Sequence, residues 1–401
     1  MRLKDNSSVS KVMAYQTEVI INSLSKICKL AILIGLPITT NPSDLKFNKR
    51  YYAAIKLWLI FINTIKTIAL VTSVYFVRLL IESQSVRLTF YASIVFGWAI
   101  TLAVLCKRKD ISTSLNGISK LTSKVGKIKH IGNKHINKAM IFHVISFFLF
   151  AAFLCFFFFY QEWSSFKSAS EAAMLFDVLP DNLQSACLGL VFSAVIFSFC
   201  MGGITCGTVL LLCDSVYIAL SDLIECYVDD LRRKFKSKVF SQLSMSEHIG
   251  MLKAITYQVK AADRSLSDCT LMLYGMFVCG LYVTVSIALS KDAIFRTKMV
   301  TLYIAWNFIL VILIFRRLTL SGSRVGLESD KLRNVATECS RRIVSHCDDE
   351  KTLLAFNVLL GNIRDAKLVV TGGGMFVIEK SLFLTVVGTM VTYGVILFQG
   401  N

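Results

Sequence analysis

Residues 372–401 read GGGMFVIEKSLFLTVVGTMVTYGVILFQGN, and no charged residue follows Lys380. Ser381 to Gln399 has the length and polarity of one bilayer-spanning helix that emerges at its final residues. Gly388, Thr392, Ile396 and Gln399 recur at intervals of four, four and three, so they share one helix face. Lipid penalises a polar stripe, which predicts that protein or water covers it. Just upstream, Gly372, Gly373 and Gly374 lower helix stability by about 1 kcal/mol each. A break or hinge between a cytosolic and a spanning part of this segment is the expected consequence. Glu379 and Lys380 then lie at the inner mouth of any pore, or serve as interfacial anchors.

Composition agrees with a membrane chain. With 401 residues, 55% hydrophobic and 17% charged, and a mean hydropathy of +0.61, there are too few charges to coat a soluble globule of this size. Apolar segments at Tyr52–Val77, Leu88–Cys106, Ala139–Tyr160, Leu183–Cys213, Cys269–Leu289 and Met299–Phe315 join the terminal one to make seven. The expected fold is therefore an all-α, seven-span helical bundle. Its net charge of +18 lies between apolar segments, with no recognition module around it, so no nucleic-acid partner is expected.

The links alternate in charge. Residues 1–50, 107–138, 214–268 and 316–370 hold 8, 9, 8 and 10 Lys or Arg, 35 of the 44 in the chain. The 161–182 link has Lys167 alone against Glu162, Glu171, Asp177 and Asp181. The positive-inside bias puts the amino terminus in the cytosol and, after seven crossings, the carboxy terminus outside. The short 290–298 link, basic but on the outer side of this scheme, is the one contrary detail.

That orientation and the motifs argue against several other classes. A G-protein-coupled receptor has an external amino terminus, an acid-Arg-aromatic triplet and an Asn-Pro-x-x-Tyr, none of which is found here. The three prolines, Pro37, Pro42 and Pro180, all lie outside the spans, so helix-kinking prolines are absent as well. The Ile27–Leu36 run is too short to span, and no small-residue cleavage site follows it. The sequon Asn6-Ser7-Ser8 falls on the cytosolic side, where it stays unmodified. No hydrolase elbow, phosphate loop or metalloprotease motif occurs, and no intramembrane carboxylate pair, so no enzyme is expected. Repeated halves of a secondary transporter are not found. Cysteines fall in apolar or basic segments without C-x-x-C pairs, and the histidines lack ligand spacing, so neither disulfide framework, metal nor cofactor is expected.

The carboxy-terminal stretch also carries a resemblance. Thr392-Tyr393, five apolar residues and Gln399 resemble the Thr-Tyr-(five apolar)-Gln-Phe signature of insect gustatory receptors, relatives of the insect odorant receptors. In the same register, Gly374-Met375-Phe376-Val377-Ile378-Glu379-Lys380-Ser381-Leu382 resembles that family's Gly-x-Phe-x-(Ile/Leu)-acid-base-Ser-Leu segment. The closing Phe is here Gly400. The resemblance implies a multi-pass plasma-membrane receptor of sensory neurons, a homotetramer or heterotetramer in which cytosolic helices and the first part of segment seven join the subunits. It also implies a ligand-gated cation channel opened by a small-molecule tastant.

On this reading residues 1–50 form a cytosolic amino-terminal region and 51–315 a six-span ligand-binding bundle with a cytosolic helical extension at 214–268. Residues 316–380 form a cytosolic anchor, and 381–401 the pore-lining span. Thr392, Ile396 and Gln399 face the ion path, with Ile396 as a dewetting gate. Tyr393, about 100° round the helix from Thr392, points to neighbouring spans and couples them to the pore. Tyr282, Tyr303, Trp306 and Asn307 are the candidate ligand contacts, as aromatic-lined cavities with few polar groups suit small molecules. An interfacial aromatic belt explains part of that set equally well, and Tyr160 with it. Aromatic richness favours bitter organic compounds over sugars. Lys66 sits mid-span and must face the bundle interior, as a ligand contact or as a buried polar tie to a neighbouring helix. Val216, Leu220, Leu223, Tyr227, Leu231 and Phe235 continue the fourth helix into the cytosol with one apolar face. The run Arg232-Arg233-Lys234-Phe235-Lys236 on it either meets anionic lipid or is a solvated face. Gly203-x-x-x-Gly207 permits close helix approach. The alternative function is a metabotropic seven-helix receptor of inverted topology with no pore of its own.

Overall fold

The computed structural model describes residues 24–38, 49–80, 84–125, 180–236, 242–289, 298–344 and 350–399. Its elements are α1 (residues 24–33), α2 (Lys49–Leu80), α3 (Gln84–Val125), α4 (Asp181–Lys236), α5 (Gln242–Leu289), α6 (Lys298–Val344), α7 (Glu350–Asp365), a two-stranded hairpin of β1 (Thr371–Gly372) and β2 (Phe376–Val377), and α8 (Lys380–Gln399). Six of the seven apolar segments lie in α2, α3, α4, α5, α6 and α8. The third, Ala139–Tyr160, lies outside the described residues.

The helices are too long for a bilayer alone. At 56 residues, α4 extends about 84 Å against a hydrocarbon core of about 30 Å. The stripe Val216, Leu220, Leu223, Tyr227, Leu231 and Phe235 is wholly buried, between 0% and 3% exposed, because the helix meets partners along its cytosolic length. In α5 the buried series Leu252, Ile255, Val259, Ala262, Leu266, Cys269, Leu273 and Phe277 keeps three- and four-residue spacing without interruption. No glycine or proline falls between Leu252 and the start of span five at Cys269, so α5 runs through as one rod. Span six likewise continues past Phe315 to Val344 in α6. α3 runs past Cys106 on a stripe of Ile111, Leu115 and Ile118. α3 packs along α5 and α4 along α6, while α2 lies against α4 and α3. One apolar core joins α3, α4, α5 and α6, with α1 and α7 included.

Among the described residues, Ala53–Val74, Cys200–Phe235 and Leu243–Tyr282 are long and apolar enough to cross a membrane by length and composition. The last two reach far into the sequence that the charge bias assigns to the cytosol. Since Cys200–Phe235 contains Asp214, Asp222, Glu225, Asp229, Asp230 and three basic residues, we keep the inner boundary near Cys213, where the charges start.

Residues 24–38, assigned by the sequence to the cytosolic amino-terminal region, are folded into this core. Leu24, Ile27, Cys28, Ala31, Ile34, Leu36 and Ile38 are all at most 4% exposed. α1 ends in a Schellman turn: the Leu36 N–H donates to Ala31 O (2.8 Å) and the Gly35 N–H to Ile32 O (3.1 Å), with Gly35 at φ 91°. Three carbonyls remain without intrahelical donors, and α2 supplies a side chain to each. Trp58 Nε1 donates to Leu33 O (3.0 Å), Lys66 Nζ to Ile34 O, and Asn63 Nδ2 to Gly35 O (3.1 Å). Lys66 also reaches Thr205 Oγ1 on α4 at 3.1 Å. The mid-span lysine is thus a buried polar tie, set at the negative end of a helix dipole, and it binds three elements together.

The basic run at the end of α4 is exposed at Arg232 and Arg233 and makes local contacts within the chain. Arg232 lies 3.9 Å from Asp229, Arg233 Nε donates to Asp229 O, and Lys234 lies 3.9 Å from Glu247. Phe235 packs edge-on against Phe356 of α7 at 5.5 Å. Among the described cysteines Cys106 is exposed, and Cys28, Cys206, Cys213, Cys269 and Cys339 are buried.

Orientation is testable from these helices. An amino-terminal tag is expected to be labelled only after permeabilisation, and a carboxy-terminal tag on intact cells. The opposite pattern would reverse the charge-based assignment of inside and outside.

Candidate functional site

The terminal helix is held by a clamp that begins well before it. α7 ends at Asp365, and fifteen residues later α8 starts with the chain redirected. Between them Thr371 pairs with Val377 and Gly372 with Phe376. The Met375 N–H closes the turn on Gly372 O at 3.0 Å. Gly373 and Gly374 are its central residues, at φ 60° and 69°, a conformation that glycine adopts without Cβ strain and that matches the hairpin's twist. A Cβ on Gly373 would also meet Leu271 of α5 at 2.6 Å. The glycine triplet therefore sits in a tight turn seated on α5.

Three polar contacts fix this seat. The Thr371 N–H donates to Asp263 Oδ1 (2.6 Å), its hydroxyl donates to the same carboxylate (2.9 Å), and the Gly373 N–H donates to Ser267 O (2.8 Å). Burial pushes the Asp263 carboxyl up, while the two Thr371 donors favour its charged form. Next along α5, Tyr274 meets Phe376 edge-on at 5.4 Å and Phe315 of α6 at 5.1 Å, and its hydroxyl is 2.9 Å from Thr319 Oγ1. Phe315 in turn lies 5.6 Å from Phe383, one turn into α8. These aromatic contacts link α5 and α6 to the base of the last helix.

α8 packs on α5 and α6 by one face. Leu382, Phe383 and Val386 pack against the core, and Met390 is 7% exposed. The other face is bare in the single chain. Ser381, Thr385, Gly388, Thr389 and Thr392 are exposed there, alongside Leu384, Val391 and Val395. The hydroxyls of Thr385, Thr389 and Thr392 each donate to the carbonyl four residues back, at 2.9 to 3.1 Å. Their backbone demands are met, and each oxygen keeps acceptor capacity for water or a hydrated ion.

Tyr393 lies on the packed side, half-buried, with its ring edge-on to Tyr282 of α5 at 4.3 Å and 69°. Tyr282, read from the sequence as a ligand contact, is thus in touch with the terminal helix. Trp306 on α6 is 47% exposed. Tyr303 and Asn307 belong to the same stretch of α6, and Ile396 and Gln399 to the last turn of α8; the side chains of these four lie outside the described residues. Among the described residues no cluster of His, Cys, Asp or Glu is arranged to hold a metal ion.

Sequence reasoning missed Asp263, Tyr274, Phe315 and Phe376 as parts of this site. It also missed the ion pair of Asp214 on α4 with Arg317 on α6, in which Nε and Nη2 donate to Oδ2 at 2.9 and 2.7 Å. Asp214 and Arg317 stand one and two residues beyond the inner ends of spans four and six. That placement was the available signal, since charges at a span boundary that face inward need partners.

A family model described as 7tm Chemosensory receptor matches residues 27–399. No curated protein sequence matches the chain significantly. Solved structures with the same fold include the insect olfactory receptor OR5 from Machilis hrabei in complex with eugenol. It is 14% identical, with a TM-score of 0.62, and the match covers 96% of this chain and 100% of that one. The structure of the same receptor titled without eugenol gives 14% identity and a TM-score of 0.63, covering 94% and 97%.

Proposed function

The chain belongs to the 7tm chemosensory receptor family, and on that premise we propose that it is a ligand-gated, non-selective cation channel of the gustatory type, opened by a small organic tastant of the bitter class. Subunits assemble, as homotetramer or heterotetramer, in the plasma membrane of sensory neurons. The tastant binds among the outer halves of the first six spans. α8 lines the ion path with the face that its own subunit leaves bare.

The observation that carries this reading is the division of α8 into two faces. One is apolar and docked on α5 and α6, and the other bears the exposed hydroxyls of Ser381, Thr385, Thr389 and Thr392 alongside exposed Leu384, Val391 and Val395. A lipid-facing helix has no use for such a stripe, whereas a water-filled axis between subunits does. Apolar residues bared in the anchor, Leu354 (67% exposed), Val358 (51%) and Met375 (78%), supply surface for neighbouring subunits. The number four comes from the family resemblance.

Purified protein in a planar bilayer provides the test. Tastant-evoked cation current without any other protein supports the channel, and ligand binding without current supports the metabotropic alternative. In the same assay Ile396→Ser is expected to raise ligand-independent current several-fold, because a hydroxyl in place of a butyl side chain wets a dewetting constriction. Unchanged leak and conductance at normal reconstitution would remove Ile396 from the ion path.

A further inference from the structure

A groove lined by α2 and α3 alone lies apart from the docked face of α8. At the outer ends of α2 and α3 this groove of about 540 Å3 is lined by Val71, Val74, Arg78, Arg87 and Tyr91. That volume is in the range of small-molecule sites. Val71, Val74 and Arg78 recur at three- and four-residue spacing and so form one stripe on α2. Arg87 and Tyr91, one turn apart on α3, form the facing wall. Val71 is 64% and Val74 40% exposed, so the apolar part of the groove opens toward lipid. The two guanidiniums stand at the end that the charge bias places outside.

Arginines at this level run against that bias, which keeps 35 of the 44 basic residues in cytosolic stretches. From Arg78 to Arg87 the sequence has one acid, Glu82, so the stretch remains net positive. Guanidinium forks match phosphate and carboxylate geometry, and they can satisfy an anion with several donors each. Placed above an apolar trough at the headgroup level, they complement a molecule with an anionic head and an acyl chain.

We propose that this groove binds an anionic amphiphile, its phosphate or carboxylate between Arg78 and Arg87 and its chain along Val71 and Val74. A phospholipid of the outer leaflet and a free fatty acid share this chemistry. The groove is formed by α2 and α3, whereas the candidate tastant contacts Tyr282, Tyr303, Trp306 and Asn307 belong to α5 and α6.

The full-length receptor, reconstituted in phosphatidylcholine nanodiscs, is photolabelled with three diazirine probes: palmitate, phosphatidylglycerol and, as a neutral control, hexadecanol. Peptides spanning residues 67–95 are expected to be labelled by one or both anionic probes and much less by the alcohol. Labelling by palmitate alone assigns a fatty acid, and labelling by phosphatidylglycerol alone assigns a lipid headgroup. Arg78→Gln with Arg87→Gln is expected to lower labelling by about tenfold or more, since charge-assisted hydrogen bonds are lost. Val74→Trp, which keeps both arginines and fills the trough, is expected to lower it as well. Should the double variant fail to give a monodisperse receptor, Val74→Trp and the comparison of head groups on the wild type decide. Equal labelling by the alcohol, no labelling by either anionic probe, or labelling unchanged in a well-folded variant would overturn the site.

Discussion

Arg317→Ala is expected to destabilise the receptor by about 3 kcal/mol, read as a lower melting temperature in detergent and a reduced yield of assembled protein. The cost lies mostly with the residue left behind. Asp214 is 2% exposed while Arg317 is 38% exposed, so the substitution strands a carboxylate in the core, where water reaches it poorly. Partial exposure of the arginine keeps the figure at the low end for buried pairs, because solvent already screens the cation. Asp214→Asn is expected to cost less, about 1 to 2 kcal/mol, since its amide oxygen still accepts from Arg317 and no charge is buried alone. The double variant Asp214→Asn with Arg317→Gln should recover much of the loss. Equal losses in the two single variants that simply add in the double would show that the pair is not coupled. The pair ties α4 to α6 at the inner membrane boundary. Tyr217 and Tyr274, hydrogen-bonded to Thr270 and Thr319 at 2.7 and 2.9 Å, tie α4 to α5 and α5 to α6 nearby. Together they hold the three helices from which the terminal clamp hangs.

What was legible in the sequence was local and periodic. The terminal span, its polar stripe and the apolar face from Val216 to Phe235 follow from spacing alone, and the last of these is buried along its length. The break before α8 follows from three glycines in a row. Its form does not, because a hairpin with two-residue strands has almost no pattern, and its seat depends on Asp263, which is 108 residues away. Asp214 and Arg317 meet across 103 residues for the same reason. α1 was obscured by Lys29 and by its short length, although Gly35 followed by Pro37 is a helix-stop signal that the Schellman turn fulfils. Lys66 was recognisable as an inward-facing cation. That its acceptor is the end of α1 required the fold.

Tyr393→Ala is expected to remove most ligand-gated current while leaving the sodium-to-potassium permeability ratio unchanged. Its ring is on the docked side of α8 and meets Tyr282 edge-on at 4.3 Å, whereas Thr392 beside it is exposed on the stripe. An aromatic pair of this kind contributes about 0.5 to 1.5 kcal/mol beyond the area it buries, and truncation adds the loss of packing. α5 carries both Tyr282 and the hairpin's seat at Asp263 and Ser267, so it grips the last segment at both ends. A ligand that moves α5 would therefore have two handles on α8, one of them this ring pair. Tyr393→Phe keeps the edge-to-face contact and is expected to shift the dose-response by no more than about tenfold, the value of one hydrogen bond. Tyr282→Ala should imitate Tyr393→Ala, and the two together should be little worse than either, with a coupling energy of about 0.5 to 1.5 kcal/mol in gating. Reversal potentials in bi-ionic solutions and a double-variant cycle on the dose-response measure both claims. Strictly additive effects would uncouple the rings, and an altered permeability ratio in Tyr393→Phe would turn the helix so that this tyrosine, rather than the threonine stripe, faces the ions.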